Sequence, residues 1–228
     1  MVTILQLETA TQVCSAALSV NGETIALKEL AAQNIHAGSL TLFIQEVMAT
    51  AGLTYADLDA VAVSKGPGSY TGLRIGVSTA KGLCFALDKP LIGIETLRMM
   101  AQGFLKTADT YTGLVCPMID ARRMEVFTGL YDNQLNEVLP VEAKIIDGTS
   151  YQEQLNAHQI TFIGDGAMKC NTSIISANAA FSDLNFNSAA NMSQLAYSAF
   201  TAGNFEDVAY FEPYYLKDFV VTQPKKKV

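Results

Sequence analysis

Histidine and cysteine are scarce in this chain of 228 residues, and their scarcity removes several classes of site. The only histidines are His36 and His158, and Leu40 stands where a second metal ligand would follow His36 on a helix. The four cysteines form no Cys-x-x-Cys pair, which argues against a zinc knuckle and against a thioredoxin-type site. We therefore expect four free, mostly buried thiols and no metal site.

Long apolar runs and basic charge are also in short supply. No run approaches the ~20 apolar residues that a membrane span needs, and Met1 is not followed by a basic segment. We expect a cytoplasmic chain with no signal peptide and no membrane partner. The 15 basic and 22 acidic residues give a net charge of −7, so a general basic surface for nucleic acid is not expected. The exception is Lys225-Lys226-Lys227, a positive tail that could make an electrostatic contact with phosphates.

The first half of the chain alternates strands and helices. Apolar residues recur with a period of two in the predicted strands and at i, i+3, i+4 and i+7 in the predicted helices. The predicted elements are strands at 2–7, 13–20 and 24–30, a helix at 36–51, a strand at 58–64, a helix at 71–87, a strand at 91–94 and a helix at 95–106. Their order is βββαβαβα.

The second half reads as a looser copy of the first. Its predicted elements are strands at 114–119 and 124–131, an extended segment at 135–146, a helix at 150–157, a strand at 160–163 and a helix at 188–202. A polar stretch near residues 104–112 separates the halves. We therefore predict domains at 1–104 and 105–228, with the tail 205–228 packing back on the first.

A glycine-rich segment between a predicted strand and a predicted helix is the most informative motif. Residues 64–76 read SKGPGSYTGLRIG. Glycines at such a junction let backbone N–H groups approach an anion near a helix N-terminus. The spacing matches neither GxGxxG nor GxxxxGK[ST], and a tight turn with Ser69 or Thr71 as helix N-cap is the competing interpretation.

Three further turns could face a nucleotide, although each is compatible with an ordinary turn. They are Glu8-Thr9-Ala10-Thr11, Asp120-Ala121-Arg122-Arg123 and Gly164-Asp165-Gly166-Ala167. Together with the glycine segment they predict a degenerate cleft that binds an adenine nucleotide weakly, if at all. Its candidate residues are Glu8, Thr9, Thr11, Gly66, Gly68, Ser69, Thr71, Asp120, Gly164 and Gly166.

The glycine segment closely resembles the hallmark segment of the bacterial TsaB (YeaZ) family. The resemblance continues in chain order through the three turns and through Pro213-Tyr214-Tyr215-Leu216. It implies an α/β, actin-like ATPase (ribonuclease H-like, ASKHA) fold of two tandem βββαβαβα-type halves. The related transferase TsaD carries a His-x-x-x-His metal site, which His36 and Leu40 do not reproduce. Arg122 is also bulky for a turn that would approach phosphate.

The resemblance implies a subunit of the machinery that makes N6-threonylcarbamoyladenosine (t6A) in tRNA. Such a subunit has no catalytic residue of its own, pairs with and activates TsaD, and is joined by the ATPase TsaE. It is a homodimer when alone and meets tRNA only through the complex.

The apolar stripes of the two long helices suggest where the pairing occurs. The residues selected for this interface are Leu40, Ile44, Val47, Leu73, Arg74, Val77 and Lys81. The alternatives are a small ATP-dependent phosphotransferase, a metallopeptidase of the same fold and a stand-alone binding module.

Overall fold

The polypeptide forms two five-stranded mixed sheets in a computed structural model that describes residues 1–31, 36–108 and 110–217, without the side chains of residues 36 and 37. The strands of the first sheet are β1 (Thr3–Glu8), β2 (Val13–Val20), β3 (Glu23–Ala31), β4 (Ala60–Gly66) and β5 (Leu91–Glu95). They lie in the order β3-β2-β1-β4-β5. β1 is antiparallel to β2 and parallel to β4, and β4 is parallel to β5.

The second sheet repeats this plan. Its strands are β6 (Leu114–Asp120), β7 (Glu125–Tyr131), β8 (Glu137–Ile145), β9 (Ile160–Ile163) and β10 (Ala179–Phe181). The order β10-β9-β6-β7-β8 places β6 where β1 stands in the first sheet, with the same directions of pairing. The sequence did not predict β10, because three residues are too short to show a period of two.

Five α-helices accompany the sheets in the described residues. They are α1 (His36–Ala51), α2 (Tyr70–Leu87), α3 (Thr96–Thr107), α4 (Gln152–Ala157) and α5 (Ser193–Thr201). The predicted order βββαβαβα is confirmed in the first half. In the second half a 3₁₀ turn at Met168–Cys170 stands between β9 and β10, and the predicted helix at 188–202 is a 3₁₀ turn followed by α5. None of the described helices is long and apolar enough to cross a membrane.

The helices and sheets stack in layers around three apolar clusters. α1 and α2 cover the outer face of the first sheet, where Leu5 and Leu7 of β1 join their core. α3 and α5 lie between the sheets, on the side to which Ile4 points. The third cluster covers the far side of the second sheet around Phe162. The four cysteines are free and buried, as predicted.

The chain after Phe205, here called the tail segment (residues 206–217), runs back over the first sheet. The Glu206 amide donates to the Leu91 carbonyl at 2.9 Å, so the tail segment pairs with the edge strand β5. The Tyr214 amide donates to the Lys65 carbonyl at 2.6 Å, and Lys217 forms an ion pair with Glu125 of the second sheet. Residues 218–228, including the predicted lysine tail, lie outside the described residues.

Candidate functional site

The glycine segment connects β4 to α2, and Ser69 is the residue that caps the helix. Its Oγ accepts a hydrogen bond from the Gly72 amide at 3.2 Å. Thr71 is exposed in the first turn. The strand-to-helix junction expected from the sequence is therefore present, with Ser69 rather than Thr71 as the N-cap.

The backbone of the first turn fills the space that these glycines leave open. The Ser69 amide donates to the Ala10 carbonyl at 2.6 Å, and Thr9 Oγ1 donates to the Gly72 carbonyl at 2.8 Å. A Cβ on Gly68 would lie 2.4 Å from the Ala10 oxygen, and one on Gly72 would lie 2.1 Å from the Thr9 oxygen. The glycines thus permit close packing of the chain against itself.

This packing decides whether the glycine segment suits a phosphate. Carbonyl oxygens carry negative partial charge, and those of Thr9 and Ala10 stand against Gly72 and Gly68, where they would repel an anion held close to these glycines. The amide of Ser69 is already used by Ala10. The residues present therefore do not fit a nucleotide phosphate at this segment.

Glu8 ends β1 on the face that points toward the second sheet, and it is completely buried. Burial raises its pKa to about 7, although the Ala10 amide donates to Oε1 at 2.5 Å and opposes the rise. Its Oε2 has no hydrogen-bond partner, and the buried hydroxyls of Ser64 and Thr96 also lack one. A carboxyl group in this setting gains a proton near neutral pH.

The second turn is held by charge and by its own backbone. Asp120 forms an ion pair with Lys169, accepts from the Arg122 amide at 2.7 Å and donates its own amide to Asp165 Oδ1 at 3.0 Å. Partial burial opposes ionisation, but the hydrogen bonds from Lys169 and Arg122 outweigh it and lower the pKa of Asp120. Arg122 and Arg123 have φ values of 76° and 52°, in the region that favours glycine.

The ten candidate cleft residues fall into two groups, one on each sheet. Those from Glu8 to Thr71 surround the start of α2, whereas Gly164 and Gly166 pack beside the end of β6, where the Gly166 amide donates to the Met118 carbonyl at 3.0 Å. Of the ten, Gly66 alone lines the cavity of about 800 Å³ that lies between the end of β4, β8 and the tail segment. Those residues also contain no group of three or more histidine, cysteine, aspartate or glutamate side chains that could hold a metal ion.

Most of the residues selected as a partner interface are inside the protein. Five of them are at most 4% exposed: Leu40, Ile44, Val47, Leu73 and Val77. All but Leu73 belong to the core beneath α1 and α2, and Leu73 packs beside Gly66 at the end of β4. The structure corrects this choice, because the apolar stripes cover the chain's own first sheet. An apolar stripe at helical spacing indicates that one face of the helix is buried, but it does not indicate which part of the same chain or of a partner covers that face.

The two charged residues of that selection have partners within the chain. Lys81 Nζ donates to the carbonyls of Ala209 and Phe211 at 3.1 and 3.0 Å, which fixes the tail segment to α2. Arg74 is exposed, and its Nη1 donates to the Tyr70 hydroxyl at 2.9 Å. Tyr70 in turn contacts Tyr215, with ring centroids 4.8 Å apart.

The opposite sides of α1 and α2 carry exposed apolar residues that the sequence analysis missed. Phe85 is 86% exposed and Leu42 is 59% exposed. Ser78 and Gly82 are exposed on the same side of α2 as Phe85, and a Cβ on Gly82 would meet nothing within 4 Å. We call the surface around Leu42, Ser78, Gly82 and Phe85 the outward helix face. The sequence signal that could have revealed this face is Phe85, an aromatic residue that lies outside the apolar stripe of α2.

Fold and site together define a class of protein: an actin-like ATPase fold of two halves, whose glycine segment is closed by its own backbone. An inorganic polyphosphate/ATP-glucomannokinase from Arthrobacter shares this fold at a TM-score of 0.50 and 10% identity, over 88% of this chain and 100% of that one. The structure of YeaZ from Pseudomonas aeruginosa matches at a TM-score of 0.83 and 25% identity, over 95% of this chain and 100% of that one. The predicted fold is confirmed.

Sequence comparison narrows the class to a family. The model described as "TsaD: tRNA N6-adenosine threonylcarbamoyltransferase" matches residues 29–226. The tRNA threonylcarbamoyladenosine biosynthesis protein TsaB of Haemophilus influenzae is 41% identical over 125 residues, 55% of this chain and 52% of that protein. The chain belongs to the TsaD family and, within it, to the TsaB (YeaZ) group, as its glycine segment predicted. It spans about half the length of the curated relatives it matches.

Proposed function

We propose that this chain is a non-catalytic subunit of the cytoplasmic machinery that makes t6A in tRNA, where it pairs with and activates a TsaD-type transferase. The role named for its TsaB relatives supports the pathway. The closure of the glycine segment by Thr9 and Ala10 supports the absence of nucleotide chemistry in this chain. Accordingly we propose neither a phosphotransferase nor a metallopeptidase activity, and no bound nucleotide at that segment.

The outward helix face is the surface that we assign to pairing. The main evidence for this assignment is the exposure of Phe85. Its side chain is 86% exposed, although α2 already buries other apolar side chains, Leu73 and Val77, within the protein. Aromatic residues of this kind are common anchors at protein interfaces, and the small residues Ser78 and Gly82 let a partner helix approach closely. We assign the same face to a homodimer of the free chain, so that the transferase and a second copy compete for it. TsaE joins the pair, and tRNA is met only through the complex.

Charge substitutions on this face test the pairing without disturbing the core. We expect Phe85→Asp to weaken assembly with the transferase by about 2 kcal/mol or more, because the side chain is exposed in the monomer. Its melting temperature should match that of the native chain at concentrations so low that both are monomeric. Ile175→Asp is the matched control, since Ile175 is 87% exposed on the other half of the molecule. Titration calorimetry measures both. Equal affinities for the two variants would place the interface elsewhere.

Depletion of the chain in its own cells tests the pathway. We expect the t6A content of tRNA, measured by mass spectrometry of nucleosides, to fall and to recover with the native chain and with Ile175→Asp. Phe85→Asp should restore it poorly. Unchanged t6A after depletion would contradict the proposed function.

A further inference from the structure

An acidic cavity between the two sheets adjoins the glycine segment, whose Gly66 and Pro67 line one side of it. Its volume is about 800 Å³, and it is bounded by the end of β4, by β8 and by the tail segment. The carboxylates among its lining residues are Glu95, Glu137, Glu206, Asp207 and Glu212. In the described part of the chain, one lysine, Lys65, lines the cavity with them. Such a surplus of negative charge repels phosphate and attracts cations.

Nearby positive groups offset only part of this charge. Lys65 Nζ stands 3.9 Å from Glu95 Oε1 at the cavity wall. Arg98 lines an adjoining cavity that shares Glu95 and Glu206. Two cations therefore face five carboxylates, and the surplus stays negative.

The spacing of the carboxylates argues against a single metal ion. They line a space large enough for a small organic molecule, and among the described residues no three acidic, histidine or cysteine side chains converge on a point that could hold a metal. Charges spread in this way suit a ligand whose own positive charges are spread along its length.

The remaining walls suit the carbon parts of such a ligand. Tyr210, Phe211 and Tyr214 of the tail segment line the cavity together with Pro140 and Val141 of β8. Tyr210 is 84% exposed, so the face of its ring is open to a cation. Methylene groups pack against apolar walls while the charged ends meet carboxylates.

A buried polar group without a partner lies next to two of these carboxylates. Tyr131 is 1% exposed, and its hydroxyl makes no hydrogen bond. β7 and β8 pair Tyr131 with Glu137 in register. Burial, together with the charges of Glu95 and Glu137, raises the pKa of Tyr131. Tyr131 lies behind the lining residues and not among them, and its neutral phenol oxygen is an acceptor without a donor next to Glu95 and Glu137.

We propose that this acidic cavity binds an extended organic cation, with ammonium or guanidinium groups carried on a methylene chain. The cation is either a free polyamine or a basic side chain of a protein partner. The inference concerns the isolated chain and does not rest on the proposed function.

The binding test uses spermidine and agmatine as probes and 1,6-hexanediol as the uncharged control. We expect saturable one-to-one binding of both amines to the native chain by titration calorimetry, and none of the diol. Glu137→Gln with Glu212→Gln removes two exposed carboxylates of the cavity, and we expect it to weaken binding about tenfold or more. Glu153→Gln with Asp183→Asn removes the same charge outside the cavity lining and should leave binding nearly unchanged.

Equal weakening by the two pairs of substitutions would show general attraction to an acidic protein and would overturn the proposal, as would the absence of saturable binding. In a second titration, transferase is added to the chain saturated with spermidine. This titration distinguishes a free amine from a basic side chain of a protein partner as the source of the cation. Inhibited assembly identifies the cation as a partner's basic side chain, and unaffected assembly identifies it as a free amine. If the transferase does not bind at all, the proposed function fails while the amine titration still decides the cavity.

Discussion

Gly72 of α2 lies directly against Thr9 of the first turn. The Gly72 carbonyl accepts a hydrogen bond from Thr9 Oγ1 at 2.8 Å, and a Cβ on Gly72 would stand 2.1 Å from the Thr9 carbonyl oxygen. The clash is between a backbone oxygen and a Cβ atom, and rotation of a side chain can move neither of them. The contact joins β1 to the helix that follows β4.

Gly72→Ala should therefore destabilise the protein by about 3 kcal/mol or more, because backbone must move to admit the methyl group. Gly82→Ala is the matched control on the same helix. Its Cβ would meet nothing within 4 Å, so we expect it to stabilise the protein by about 1 kcal/mol through helix propensity alone. Urea denaturation of the two variants measures the difference. A mild effect of Gly72→Ala would show that the glycine segment is not packed as described.

Glu8 makes stability fall as pH rises. Its pKa is about 7 in the folded protein and 4.5 in the ordinary state, so the unfolded chain loses its proton first. The loss in the free energy of unfolding that Glu8 causes is absent below about pH 4.5, grows up to about pH 7 and is complete above it. Glu8→Gln keeps the acceptor for the Ala10 amide and removes the charge. We expect this substitution to raise the free energy of unfolding by about 3 kcal/mol at pH 8 and by little at pH 4.5. Urea denaturation at the two pH values checks this, and an equal gain at both would contradict the assignment.

Asp88 ends α2 at a position that suits glycine. Its φ of 53° lies in the left-handed region, and its carboxylate stands at the negative end of the helix dipole. Asp88→Gly removes both disadvantages, so we expect a gain of about 1 kcal/mol in the free energy of unfolding. Asp88→Asn isolates the charge and should give a smaller gain. Thermal unfolding of both variants measures it; a loss for Asp88→Gly would mean that the Asp88 side chain has a stabilising contact.

Lys81 holds the tail segment through the carbonyls of Ala209 and Phe211. We expect Lys81→Met to expose the tail segment to chymotrypsin, with cleavage at Tyr210 or Phe211 several-fold faster than in the native chain, because a local opening that breaks two charge-assisted hydrogen bonds costs less without them. Lys89→Met is the control, since Lys89 lies just beyond the same helix. Mass spectrometry of the early fragments gives the rates. Equal cleavage in the two variants would assign the anchoring to other contacts.

The sequence predicted elements best where one face of an element is buried. α1 and α2 carry long apolar stripes, and their bounds differ from the predicted ones by at most one residue. β10 and the 3₁₀ turn at Met168–Cys170 escaped because three residues give no period to read. Asn21-Gly22, which connects β2 to β3, is a pair typical of hairpin turns, and both residues have the positive φ that such a turn requires.

The candidate site was harder to predict because a glycine signals close approach without naming what approaches. Gly68 was expected near a ligand, yet the Ala10 carbonyl lies against it, as the Thr9 carbonyl lies against Gly72. In the same way, the buried stripe containing Leu73 gave no sign that α2 also carries Phe85 on its free side. Both questions concern contacts between segments far apart in the chain, which a local pattern does not encode.

The first sheet depends on chain that is synthesised after the whole of the second sheet. α5 packs on its inner face beside β1 and β5, and Glu206 of the tail segment pairs with Leu91 at its edge. A ribosome that has delivered the first half has therefore delivered a sheet whose inner face is covered by α3 alone and whose edge strand is open. While roughly a hundred further residues are synthesised, that surface can contact only chaperones or other nascent chains of the same kind. Completion of the first half thus waits until the second sheet has been synthesised as well, whatever the local propensities of the first half.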